Sequence, residues 1–122
     1  MPLVRSSSAA LHKTPNAVMR TLAAPSTGAK ELAVWEVSMT AGQAGPAHRV
    51  NREQVWVVLL GALSVHLEAE TLRVGAGDAA ILPADDERRV VADSEVRALV
   101  SSGAAPMVQT RDGGDRPLPW AI

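Results

Sequence analysis

AHRVNREQVWVVLLG, residues 47–61, is the stretch on which the reading of this chain turns. His48 opens it, a polar segment leads to Gln54, and VWVVLL (55–60) runs apolar up to Gly61. A short, valine-rich run bounded by turn signals reads as a strand, and apolar residues on both parities predict burial on both faces. Gly61 turns it directly into ALSVHLE (62–68), the next strand.

Working outward, ELAVWEVSM (31–39) is a strand that stops at the turn-rich TAGQAGPA (40–47). ETLRVGAGD (70–78) gives a short strand and a glycine turn, and AAILPADDE (79–87) a strand stopped by Pro83. RRVVA (88–92), EVRALVSS (95–102) and PMVQT (106–110) complete the set. Short strands at intervals of about 8–12 residues are the pattern of a sandwich or barrel. The expectation is one all-β domain over 31–122, with 1–30 an irregular N-terminal arm and no helix or repeat.

Composition narrows the function. With 12 Lys+Arg against 13 Asp+Glu in 122 residues, the chain lacks the basic excess of a nucleic-acid binder. It has no cysteine, which excludes disulfides, thiolate metal sites and thiol nucleophiles. No apolar run approaches the roughly 20 residues that span a bilayer. Residues 1–30 carry four basic side chains and no acidic one, with SSSAA at 6–10, which also fits a transit peptide. Pro15 and Pro25 interrupt any long amphipathic helix there, so a cytoplasmic protein is expected. There is no Phe or Tyr, so Val, Leu and Ala must fill the core around Trp35, Trp56 and Trp120.

At this point the chain resembles a small single-domain cupin, an antiparallel jelly-roll barrel. The first family pattern, G-x5-H-x-H-x3,4-E-x6-G, is matched in frame by Gly42, His48, Val50, Gln54 and Gly61. The second, G-x5-P-x-G-x2-H-x3-N, is matched by Gly77, Pro83, Asp85 and Arg88. With its flanking strands the resemblance covers about residues 30–110, and the ending PLPWAI is similar to the tails of many small bacterial cupins.

The resemblance implies a divalent metal held by three histidines and a glutamate, but only His48 keeps its type. Val50 stands for the second histidine, Gln54 for the glutamate and Arg88 for the third histidine. Neither valine nor a guanidinium has a lone pair to offer a metal. Glu53 has the opposite strand parity to Gln54, and His66 on the next strand has no partner at metal-site spacing. No cofactor is expected, although weak metal binding through His48 and water stays open.

What remains is a polar set inside an apolar barrel. His48 suits general acid–base work near neutral pH, or is a remnant bonded to a loop. Arg88 suits an oxyanion of the ligand, or an ion pair with its acidic neighbours Asp85, Asp86 or Glu87, and its charge would hold a nearby imidazole neutral. Gln54 suits a polar ligand group. Val50, Trp56 and Met39, with Val37 as an alternative to Met39, suit an apolar pocket wall or plain core. Trp35 and His66 are expected to be structural or interface residues, and His12 carries no signal. The resemblance to small cupins that cyclise or isomerise polyketide-like metabolites implies acid–base chemistry on a carbonyl compound, with a non-catalytic binding module as the alternative. The apolar outer face of VWVVLL predicts a homodimer.

Overall fold

The computed structural model describes residues 2–122. In chain order the strands are β1 (Leu11–Lys13), β2 (Val18–Ala23), β3 (Leu32–Met39), β4 (His48–Val50), β5 (Gln54–Leu60) and β6 (Ala62–Leu67). There follow β7 (Thr71–Gly75), β8 (Ala79–Leu82), β9 (Arg88–Ala92), β10 (Val96–Gly103), β11 (Met107–Thr110) and β12 (Asp115–Pro117). One antiparallel sheet has the order β1-β2-β3-β10-β5-β8 and the other β12-β11-β4-β9-β6-β7. The two close on one another as a jelly roll. No helix among the described residues is long and apolar enough to cross a membrane.

Period-2 alternation decides which residues fill the space between the sheets. On β3, Ala33, Trp35, Val37 and Met39 are buried, while Leu32 on the opposite parity is 61% exposed. Val58, Ala98 and Val100 join them from the same sheet, and Val50, Leu63, Val65 and Val90 face them from the other. Each such branched side chain contributes about 1.5–3 kcal/mol on burial. This core is mostly Val, Leu and Ala, and one end of the barrel, walled by Trp35, Trp56 and Met39, is left unfilled.

Two expectations are corrected here. Residues 11–23 are not an irregular arm: β1 and β2 extend the first sheet, with Met19 opposite Val37 and Thr21 opposite Trp35. Met19 and Thr21 alternate inward and are buried, a period hidden in the sequence by the flanking prolines and by Arg20 on the other parity. Nor is β5 buried on both faces. Gln54 and Val58 are buried, but Leu59 and Leu60 are 48% and 47% exposed, because no layer among the described residues covers the outside of the sheet. The remaining expected strands are present, and β4 and β12 are additional.

The glycine between β5 and β6 is a fixed point of the fold, because there the chain crosses from one sheet to the other and the two strands do not pair. Gly61 has φ +78°, and a Cβ there would lie 1.9 Å from the Glu95 carbonyl oxygen. The β5–β6 turn is thus pressed against the β9–β10 loop, where the Ala62 N–H donates to Ser94 Oγ at 3.0 Å.

Candidate functional site

The unfilled end of the barrel is a cavity of about 410 Å³ whose wall is largely apolar. Trp35, Val37 and Met39 from β3, Trp56 from β5, and Val50 and Val90 from the facing sheet form most of its body. His48 and Gln54 supply polar groups within it.

His48 opens β4, where it lies opposite Arg88 of β9 on one side and Thr110 of β11 on the other. Directly opposed residues in an antiparallel ladder project to the same face, so imidazole and guanidinium are both carried inward. His48 Nδ1 is 2.9 Å from the Pro46 carbonyl oxygen. A carbonyl only accepts, so Nδ1 carries the proton and Nε2 keeps its lone pair. Burial lowers the His48 pKa below its ordinary 6.5, the Arg88 charge pushes the same way, and the Pro46 bond and Glu87 act against them. The imidazole is therefore neutral at pH 7, the form a general base requires.

A ring pKa held down by burial keeps the neutral form as the pH falls through 6.5, and protonation comes only at lower pH. Titrating the His48 Cε1–H resonance should place its midpoint below 6.5. In Arg88→Met the midpoint should rise, by less than it would on full exposure, because burial is the larger cause.

Gln54 is 3% exposed at the start of β5. Two donors converge on its Oε1: Arg88 Nη1 at 3.4 Å and Trp56 Nε1 at 3.5 Å. That fixes which way the amide lies, and leaves Nε2 with no partner among the described residues.

Arg88, expected to touch a ligand directly, is 1% exposed and is not in the cavity wall. It sits behind Gln54, where Nε donates to the Asp86 carbonyl at 2.8 Å and Nη2 donates to the Pro83 carbonyl. The acidic neighbours expected as ion-pair partners do not bridge it; Glu87 instead pairs with Arg111 at 2.6 Å and with Arg49 at 3.7 Å. Burial lowers the Arg88 pKa while Asp86 and Asp85 raise it, and a guanidinium stays protonated throughout.

A family model for the cupin domain matches residues 35–102, more than half of the chain. The chain is a cupin. The polyketide cyclase RemF from Streptomyces resistomycificus is 21% identical, with a TM-score of 0.76 over 99% of this cupin and 96% of that chain. A sugar phosphate isomerase of the cupin superfamily from Silicibacter pomeroyi is 18% identical, with a TM-score of 0.71 over 92% and 83%. KdgF from Halomonas sp. is 21% identical, with a TM-score of 0.72 over 83% and 93%. At these identities the likeness speaks for the fold. No curated protein matches this cupin in sequence.

The residues at the cupin ligand positions do not fit a divalent metal. Val50 is a 1% exposed hydrocarbon, the Gln54 oxygen is turned to Arg88, and Arg88 itself brings a positive charge. That leaves a single imidazole nitrogen, and among the described residues no group of three or more His, Asp or Glu gathers as a metal cluster. Asp85 stands where the second motif has glycine and holds φ 67°, a conformation that Asp tolerates better than most residues. This tight turn between Pro83 and Asp86 presents both carbonyls to Arg88.

Of the residues singled out in the sequence, His48, Val50, Gln54, Trp56 and Met39 meet at the cavity, with Val37 beside Met39. Trp35 is there too, as pocket wall rather than interface. His66 points to the outside, 3.1 Å from Thr71 Oγ1, and His12 lies in β1. Sequence reasoning missed the contribution of both chain ends. Asn16, Ala17 and Met19 wall the cavity from the N-terminal side, and Arg116, Leu118 and Trp120 from the C-terminal side. The PLPWAI tail was the one signal for this, visible only as a resemblance.

Proposed function

We propose that this cupin catalyses non-redox proton transfer on a carbonyl-bearing small molecule, as an isomerase or cyclase, without a metal. One observation carries the reading: a neutral imidazole, its tautomer set by Pro46, stands in the wall of an apolar cavity with Nε2 free to accept a proton. In the proposed step a C–H bond next to a carbonyl breaks, and its proton passes to His48 Nε2. The electron pair moves to the carbonyl oxygen as an enolate, which the Gln54 Nε2–H stabilises by a hydrogen bond. Isomerisation ends when the imidazolium returns the proton to a different atom. Cyclisation ends when the enolate carbon bonds to a second carbonyl and the new alkoxide takes the proton. The polyketide cyclase and sugar phosphate isomerase among the structural neighbours accord with this class.

The direct test is deuterium uptake from D2O, followed by NMR, on a panel of bicyclic and tricyclic aryl ketones and 1,3-diketones. The expected result is incorporation next to the carbonyl faster than in buffer for panel members that bind. Binding with exchange only at the spontaneous rate would favour a non-catalytic ligand-binding protein.

The same proposal takes the protein as a homodimer. Val55, Val57 and Leu59 share the outer face of the first sheet with Leu99 and with Ile81, which is 63% exposed. Apolar surface of this kind is usually covered. Light scattering at micromolar concentration should give twice the 12.8 kDa chain mass, and Leu59→Arg should return a monomer. A wild-type monomer would remove the idea.

A further inference from the structure

Arg88 and Gln54 form a unit whose consequence lies in ligand choice rather than in proton transfer. The guanidinium is 1% exposed, and no carboxylate lies within ion-pair distance of it among the described residues. Its recorded partners are three neutral oxygens: the carbonyls of Pro83 and Asp86, and Gln54 Oε1. Asp85 and Asp86 act on this charge without bridging it, and a buried cation that no carboxylate bridges is costly unless something else compensates it. Gln54 lies between this charge and the cavity, and its amide has only one orientation that satisfies both Arg88 and Trp56. The negative end of the amide dipole is spent on the guanidinium. The positive end, the Nε2–H pair, is left for the cavity, polarised by the charge behind it.

We propose that the cavity selects an apolar ring compound bearing a delocalised oxyanion, an enolate or phenolate, and that Gln54 binds this oxygen while Arg88 acts as the positioning residue. The inference rests on the proton-transfer reading for its choice of anion, since an enolate is what that step generates. The cavity size and apolar wall suit fused rings, and the single polarised amide suits one oxygen. Arg116, unlike Arg88, is a cation in the wall itself, but it is exposed and bonded to Thr110 Oγ1 at 3.2 Å, so salt screens it.

The test is equilibrium binding of 2-hydroxy-1,4-naphthoquinone, an anion at neutral pH, against 1,4-naphthoquinone, which lacks the acidic hydroxyl. The wild-type protein should bind the hydroxy compound roughly tenfold or more tightly, as charge-assisted hydrogen bonds allow. Gln54→Glu places a carboxylate against Arg88, so the folded barrel is retained while the polarised donor is lost. In that variant the preference should vanish or invert, with the melting temperature held or raised. Arg88→Met should reduce the preference wherever it folds. An unchanged preference in Gln54→Glu, or a preference removed by Arg116→Gln or by high salt, would overturn the proposal. Because binding is read, the result stands whether or not His48 moves a proton.

Discussion

Replacing His48 by glutamine is expected to slow deuterium uptake on any competent ketone by about a hundred- to ten-thousand-fold, the range a positioned general base supplies. Glutamine keeps a polar side chain that can meet the Pro46 carbonyl but has no basic nitrogen, so the strand position survives while the chemistry does not. The ring is half-buried on a three-residue strand, and its removal leaves the core unaltered, so the melting temperature should barely move. The pH profile sharpens the result. In the wild type the rate should fall only below the ordinary histidine value of 6.5, because burial and the Arg88 charge hold the ring neutral above it. His48→Gln should show no such limb. A variant that retains the wild-type rate would place the base elsewhere and end the mechanism.

The second large effect falls on the fold. Gly61→Ala combines a left-handed backbone, φ +78°, with a Cβ placed 1.9 Å from the Glu95 carbonyl oxygen. The conformation alone costs about 1–2 kcal/mol for a residue with a Cβ. The collision has to be relieved by moving backbone rather than a flexible side chain, which adds roughly 1–3 kcal/mol. Against a total stability of about 5–15 kcal/mol this is a large fraction, and the melting temperature should fall by roughly 10 °C. Gly42→Ala separates the two contributions, since Gly42 has φ +84° with nothing within 4 Å of its Cβ. Thermal unfolding should show Gly61→Ala clearly worse than Gly42→Ala. Equal losses would mean that the β9–β10 loop simply moves aside.

The strands were legible because β3 and β10 carry period-2 apolar patterns, and β5 an unbroken apolar run, between clear turns. His48, Val50 and Gln54 were legible as a set because two motifs fixed their frame, and the parity of β5 then placed Trp56 on the same side. The role of Arg88 was not legible. Sequence order put it at a ligand position, but whether a long side chain ends in the cavity or behind a neighbour depends on where the Pro83 and Asp86 carbonyls lie. Strands β1 and β2 were missed because their buried parity is only Met19 and Thr21 of β2, and the other carries Arg20, whose Nη1 donates to the Ser6 carbonyl at 2.6 Å. The outer face of β5 was misread for a related reason. An apolar run reports what a strand avoids, not whether this chain or another supplies the cover.

The two ends of the chain also meet. The Thr21 hydroxyl donates to the Trp120 carbonyl at 2.8 Å, joining the N-terminal sheet extension to the last turn at the cavity wall. His48 and Gln54 sit on the inner strands β4 and β5, whereas part of the cavity boundary is a clasp of termini. Divergence of this cupin is therefore open to a route that leaves the barrel alone: exchanging residues 14–19 together with 116–120 reshapes the cavity while His48 and Gln54 keep their places.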